Sequence, residues 1–111
     1  MNYNLITLDL FLCASKHQSL AKAAEEKNIV VSAVSKRILD LEKSVGVNLF
    51  YRKNSGVELT PAGHEMQKHC MEVFNSIKVM DESIKEYSKE SSGTVRVSAN
   101  SSSITQFLQL I

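Results

Sequence analysis

Between Gly63 and Gly93 the chain has neither glycine nor proline, and this uninterrupted stretch constrains the fold more than any other feature. Thr60 is a good helix N-cap and Pro61 a good first helical residue, so a helix is predicted to start at once and run to about residue 90. At ~1.5 Å per residue it would be about 45 Å long. Along it Met66, Cys70, Val73, Ile77, Met80, Ile84 and Tyr87 recur at spacings of 4, 3, 4, 3, 4 and 3. That is the a/d stripe of a coiled coil, and three unbroken heptads exceed what one small domain can cover. The stripe is therefore expected to pair two copies of the chain. The alternative is a helix folded back on the chain's own wing, the hairpin that precedes it.

Upstream, the period is also helical. Leu5, Leu8, Leu12 and Ser15 share one face, with Phe11 beside them, which predicts a first amphipathic helix over residues 4–17. Ser19 can cap a second, Ala-rich helix over Leu20 to Lys27, closed by Asn28, a residue that tolerates the left-handed conformation. A third is predicted from Ser32 to Val45, with Val34, Ile38, Leu41 and Val45 on its buried face and Gly46 just past its end.

After Gly46 the pattern changes to a hairpin: Leu49, Phe50 and Tyr51 favour a strand, Asn54, Ser55 and Gly56 a turn, and Val57, Glu58 and Leu59 a second strand. Beyond the long helix, Thr94 to Ser98 alternate like a strand, and Ile104, Phe107, Leu108 and Ile111 return to helical spacing. One strand and two helical turns cannot enclose a core, so residues 91–111 are expected to open a further domain that the chain does not complete. The expected organisation is mainly α with a small β wing. It comprises a three-helix domain with a hairpin over residues 1–60, a linker helix over 61–90 and the incomplete segment 91–111.

Composition removes several functional classes. Thirteen Lys and Arg against twelve Asp and Glu leave a net charge of +1 in 111 residues, so any basic site must be local. No apolar run approaches the ~18 residues of a membrane span, and no export signal opens the chain, which makes the cytoplasm the expected compartment. Cys13 and Cys70 are expected to stay reduced. Cys13 and His17 are four apart on the first helix, a spacing able to hold a metal, but two ligands are too few. His64, His69 and Cys70 do not share a face. There is no phosphate loop, nucleophile elbow or paired-carboxylate site, so neither catalytic residues, a cofactor nor a metal is expected.

Two short helices joined by a tight turn, preceded by a supporting helix and followed by a hairpin, are the layout that sets one helix into a DNA major groove. With Val34 as the buried reference at ~100° per residue, Ser32, Lys36, Leu39 and Lys43 of the third helix point outward, with Ser35 on the flank. Residues 36–53 hold Lys36, Arg37, Lys43, Arg52 and Lys53 against Asp40 and Glu42, whereas residues 64–90 hold four Lys against six acids. Basic charge is concentrated in the third helix and wing.

The residues themselves carry a resemblance. Ser19, Leu20, Ala21, Ala23 and Ala24, then Ala33 through Ile38, then Leu41, Glu42, Gly46, Val47, Leu49, Phe50 and Arg52, and finally Leu59 through Gly63, look like LysR-type transcriptional regulators over residues 3–63. The resemblance implies a bacterial winged helix-turn-helix, a linker helix that pairs two subunits antiparallel, and a two-lobed effector domain that Gly93 to Ala99 would begin. It assigns Ser35 and Lys36 to the Ser-Arg/Lys pair of the reading helix and Arg52 to phosphate. Lys53 adds a further wing charge.

Where the family commonly has Ser-Gln-Pro, this chain has Val30, Val31 and Ser32. A capping hydroxyl and a base-reading side chain are thereby lost, and Val31 is placed to touch a thymine methyl. The implied partners are double-stranded DNA and a second copy through the linker helix, with a small-molecule effector only where the further domain is complete. The rival expectation is a truncated interaction protein that forms mixed dimers with related regulators without specific DNA binding of its own.

Overall fold

The computed structural model describes residues 3–90; the predicted strand and helical turns over 91–111 lie outside them. The elements run α1 (Leu5–His17), α2 (Leu20–Lys27), α3 (Val31–Val45), β1 (Phe50–Lys53), β2 (Gly56–Leu59) and α4 (Pro61–Glu90). Three short helices, a two-stranded wing and one long helix follow in that order, the mainly helical layout expected.

Local chemistry sets the boundaries. Asn4 caps α1 by accepting from the Ile6 N–H at 2.8 Å, and Ser19 caps α2 by accepting from the Lys22 N–H at 3.1 Å. Gln18 (φ 54°) and Asn28 (φ 62°) turn the chain left-handed at the ends of α1 and α2. α3 starts at Val31, one residue before the predicted start, and its N-cap Val30 offers no side-chain hydrogen bond. Thr60 accepts from the Gly63 N–H at 2.9 Å and so opens α4.

The core is built around α1, whose buried residues are Thr7, Leu8, Leu10, Phe11, Cys13, Ala14 and Ser15. The single stripe predicted for this helix is therefore corrected. α1 meets α2, α3 and β2, so burial wraps most of its circumference, and Leu5, at the edge of that surface, is 48% exposed. Phe11, Ile38, Leu49 and Val34 are the largest fully enclosed side chains, each stabilising the fold by roughly 1.5–3 kcal/mol. The rings of Phe11 and Phe50 pack at 5.2 Å and tie the wing to α1. On α3, Val34, Ile38 and Leu41 are buried as expected, while Val45 is half-buried.

The wing pairs antiparallel with Phe50 opposite Leu59 and Lys53 opposite Gly56. Its loop is only Asn54 and Ser55, so Gly56, expected in the turn, is a strand residue, and the first strand starts at Phe50 rather than Leu49. The reason is a tether. The Val57 N–H donates to the Gln18 carbonyl at 3.1 Å, and a Cβ on Gly56 (φ 139°) would lie 2.3 Å from that same oxygen.

The junction of wing and α4 is equally close. Thr60 donates its hydroxyl to the Asn48 carbonyl at 2.7 Å, and a Cβ on Gly63 would stand 2.1 Å from the Leu49 carbonyl oxygen. One compact unit runs Met1–Met71, so the first turns of α4 belong with the winged unit, and a second unit begins at Glu72.

Candidate nucleic-acid interface

The outward face of α3 holds the residues expected there. Val31, Ser32, Lys36, Leu39 and Lys43 are exposed and Ser35 is half-buried. Lys36 Nζ lies 3.2 Å from Asp40 on the next turn, an exposed pair whose partner water or phosphate can readily replace. Arg37 is aimed elsewhere, donating to the Thr7 hydroxyl at 3.3 Å, and thus joins α3 to α1.

The wing contributes Arg52 and Lys53. Arg52 Nη1 donates to Ser35 Oγ at 3.1 Å, bringing together two candidate DNA contacts 17 residues apart in the chain. Lys53 Nζ sits 2.7 Å from Glu58 across the hairpin, and that ammonium holds the Glu58 carboxyl below its ordinary pKa. The wing thus presents one cation directed at α3 and a second partly neutralised by its own neighbour.

Glu42, set against the basic residues in the charge balance of residues 36–53, has another role in the structure. It is buried, and its Oε2 accepts from the N–H groups of Leu49 at 2.7 Å and Phe50 at 3.1 Å. The carboxyl thereby fastens the C-terminal half of α3 to the start of the wing. Its position beside Leu41 on the buried stripe was the available signal. With Glu42 withdrawn from the surface, Asp40 is the remaining acid among residues 36–53.

The seven residues of the predicted pairing stripe fall in both units. In the first, Met66 is half-buried and Cys70 is 2% exposed; burial raises the Cys70 thiol pKa. In the second, Ile77 is half-buried while Val73, Met80, Ile84 and Tyr87 are exposed. The open part of the stripe begins at Val73. Glu26 joins the Cys13 and His17 pair, supplying a third potential metal ligand. No helix among the described residues is long and apolar enough to cross a membrane.

Comparison with known proteins gives consistent matches. The family model described as bacterial regulatory helix-turn-helix protein, lysR family, matches residues 5–64. The RuBisCO operon transcriptional regulator of Allochromatium vinosum is 32% identical over 101 residues, 91% of this chain and 33% of that protein. The BenM DNA-binding domain, solved with catB site 1 DNA, is similar with a TM-score of 0.74 and 27% identity over 78% of this chain and 97% of that one. Vibrio fischeri DarR, solved in complex with DNA, is similar with a TM-score of 0.72 and 34% identity, over 80% of this chain and 30% of that one. The chain spans about a quarter to a third of the length of the curated relatives it matches.

Proposed function

The chain belongs to the LysR family of bacterial helix-turn-helix regulators, and from that premise we propose that it binds double-stranded DNA as a homodimer, one α3 in each of two successive major grooves. The observation that carries this reading is the 3.1 Å contact of Arg52 with Ser35, which sets a wing cation against the exposed face of α3. In this arrangement Val31, Ser32 and Ser35 face base edges, and Lys36, Arg52 and Lys53 meet phosphate or guanine. The dimer forms through the open part of the stripe, whose exposed members Val73, Met80, Ile84 and Tyr87 favour a covering partner, whereas Cys70, expected in the pairing surface, is enclosed within its own unit. Regulation of transcription, in the bacterial cytoplasm where the duplex is, follows from that activity. Binding of a small-molecule effector is not assigned to these residues.

Selection of duplexes from a random pool, followed by the salt dependence of the best binder, tests the proposal. A two-fold site with a steep salt slope is expected. Lys36→Ala and Arg52→Ala should each weaken binding and lower the slope by about one if the lost contact is to phosphate. Unchanged affinity in both variants overturns the site assignment.

The same exposed stripe favours a second reading, in which the chain pairs with related regulators in mixed dimers. No enrichment by the chain alone, together with altered DNA binding by a relative mixed with it, would select that reading.

A further inference from the structure

Cys13 and His17 lie one turn apart on α1, and Glu26 reaches them from α2. Cys13 Sγ is 3.3 Å from Glu26 Oε2, and His17 Nε2 is 2.7 Å from Glu26 Oε1. One ligand atom from each of the three falls within 4.8 Å of the other two. In a tetrahedral zinc site, sulfur, nitrogen and oxygen ligands at their usual bond lengths stand roughly 3.3–3.6 Å apart, so the His17–Glu26 pair at 2.7 Å would spread and any pair near the 4.8 Å bound would close by about 1 Å to admit an ion. We propose that Cys13, His17 and Glu26 form a site for a divalent transition metal of the zinc class, clamping α1 to α2.

The donor set argues for that class. A thiolate, an imidazole and a carboxylate suit a borderline cation, whereas calcium and magnesium require oxygen and copper(I) favours sulfur. The accessibility of the three is graded: Cys13 is buried, while the side chains of His17 and Glu26 are 27% and 42% exposed, so solvent reaches the fourth coordination position. The surrounding charges are Lys16, 3.9 Å from Glu26 Oε1, and Lys27, whose Nζ is paired with Asp9 at 2.7 Å.

Without metal, the Cys13 thiol donates to Glu26. Burial first, and then Glu26, raise the pKa of that thiol, while His17 and Cys13 lower that of the Glu26 carboxyl. On binding, the sulfur–hydrogen bond breaks and its electron pair forms the sulfur–metal bond. That proton leaves to solvent; Nε2 of His17 likewise gives up the proton it shares with Glu26 Oε1, to solvent or to Nδ1, so that its freed lone pair and a Glu26 oxygen supply the other two bonds. The site also bears on the wing, because Gln18, the residue after His17, is the one whose carbonyl holds Val57.

The test is anaerobic titration of the reduced, metal-free 111-residue chain with Co²⁺, followed by competition with Zn²⁺. The expected result is one Co²⁺ per chain, a thiolate-to-cobalt charge-transfer band in the near ultraviolet, strong visible bands of four-coordinate cobalt, and displacement of both by Zn²⁺. Cys13→Ser should abolish the charge-transfer band. His17→Gln and Glu26→Gln should each weaken binding by more than the about 10- to 100-fold that loss of an outer-shell support costs. Circular dichroism verifies folding; should Cys13→Ser not fold, the exposed and isosteric Glu26→Gln decides. Absence of the band at large Co²⁺ excess, its survival in Cys13→Ser, or indifference to both His17→Gln and Glu26→Gln would overturn the site.

Discussion

Val30 leaves the first N–H groups of α3 without a side-chain acceptor, at an exposed position where nothing apolar is gained in return. Val30→Ser restores the acceptor and should raise stability by about 1 kcal/mol, read from urea unfolding; an unchanged midpoint would show that those groups are already solvated without cost. Glu42 is the opposite case, a polar side chain that is buried and fully used. Glu42→Ala strips the acceptor from two N–H groups and should cost ~1–3 kcal/mol in the same measurement. The first effect was legible in the sequence, because capping is a property of neighbouring residues. The second was not, because the partners Leu49 and Phe50 lie seven and eight positions away and meet Glu42 only after the chain has turned at Gly46. Glu26 escaped notice for the same reason: its approach to Cys13 depends on how α2 packs against α1.

At the scale of elements, α2 and its caps could be read directly, since Ser19 and Asn28 act within one turn of the helix they bound. The hairpin was found but shifted, because Gly56 answers to the backbone of Gln18 rather than to the local turn. Its two cations differ in availability. Lys53 keeps the Glu58 carboxyl below its ordinary pKa, so the carboxylate stays charged through neutral pH and protonates only in acid. The sign follows: the pair's contribution is present above the unfolded carboxylate value and is lost as pH falls through the lowered folded one. Glu58→Gln should therefore strengthen DNA binding at neutral pH and steepen the salt slope by about one, as Lys53 is released to phosphate. A slope equal to that of the unaltered chain would show that Glu58 does not hold Lys53 back from phosphate.

At the scale of the whole molecule, the 4-3 spacing showed where an apolar stripe runs along α4, but not where it ceases to be covered. Cys70 is enclosed by its own unit, a fact that depends on the fold of the winged domain; Ile84, 63% exposed, is not. Ile84→Lys should shift the chain to monomer in sedimentation and lower affinity for a two-half-site duplex, while leaving binding to one half-site nearly unchanged. Persistence of a dimer would place the pairing surface elsewhere. The buried Glu42 carboxyl has one more consequence. Together with the Arg52–Ser35 contact it ties α3 to the first strand of the wing at two points, one in each half of the helix, which limits how far one can move without the other. A duplex docked against both must supply the compliance itself, and the elastic cost of bringing its groove and backbone to this fixed span would vary with base sequence, even at steps that no side chain touches.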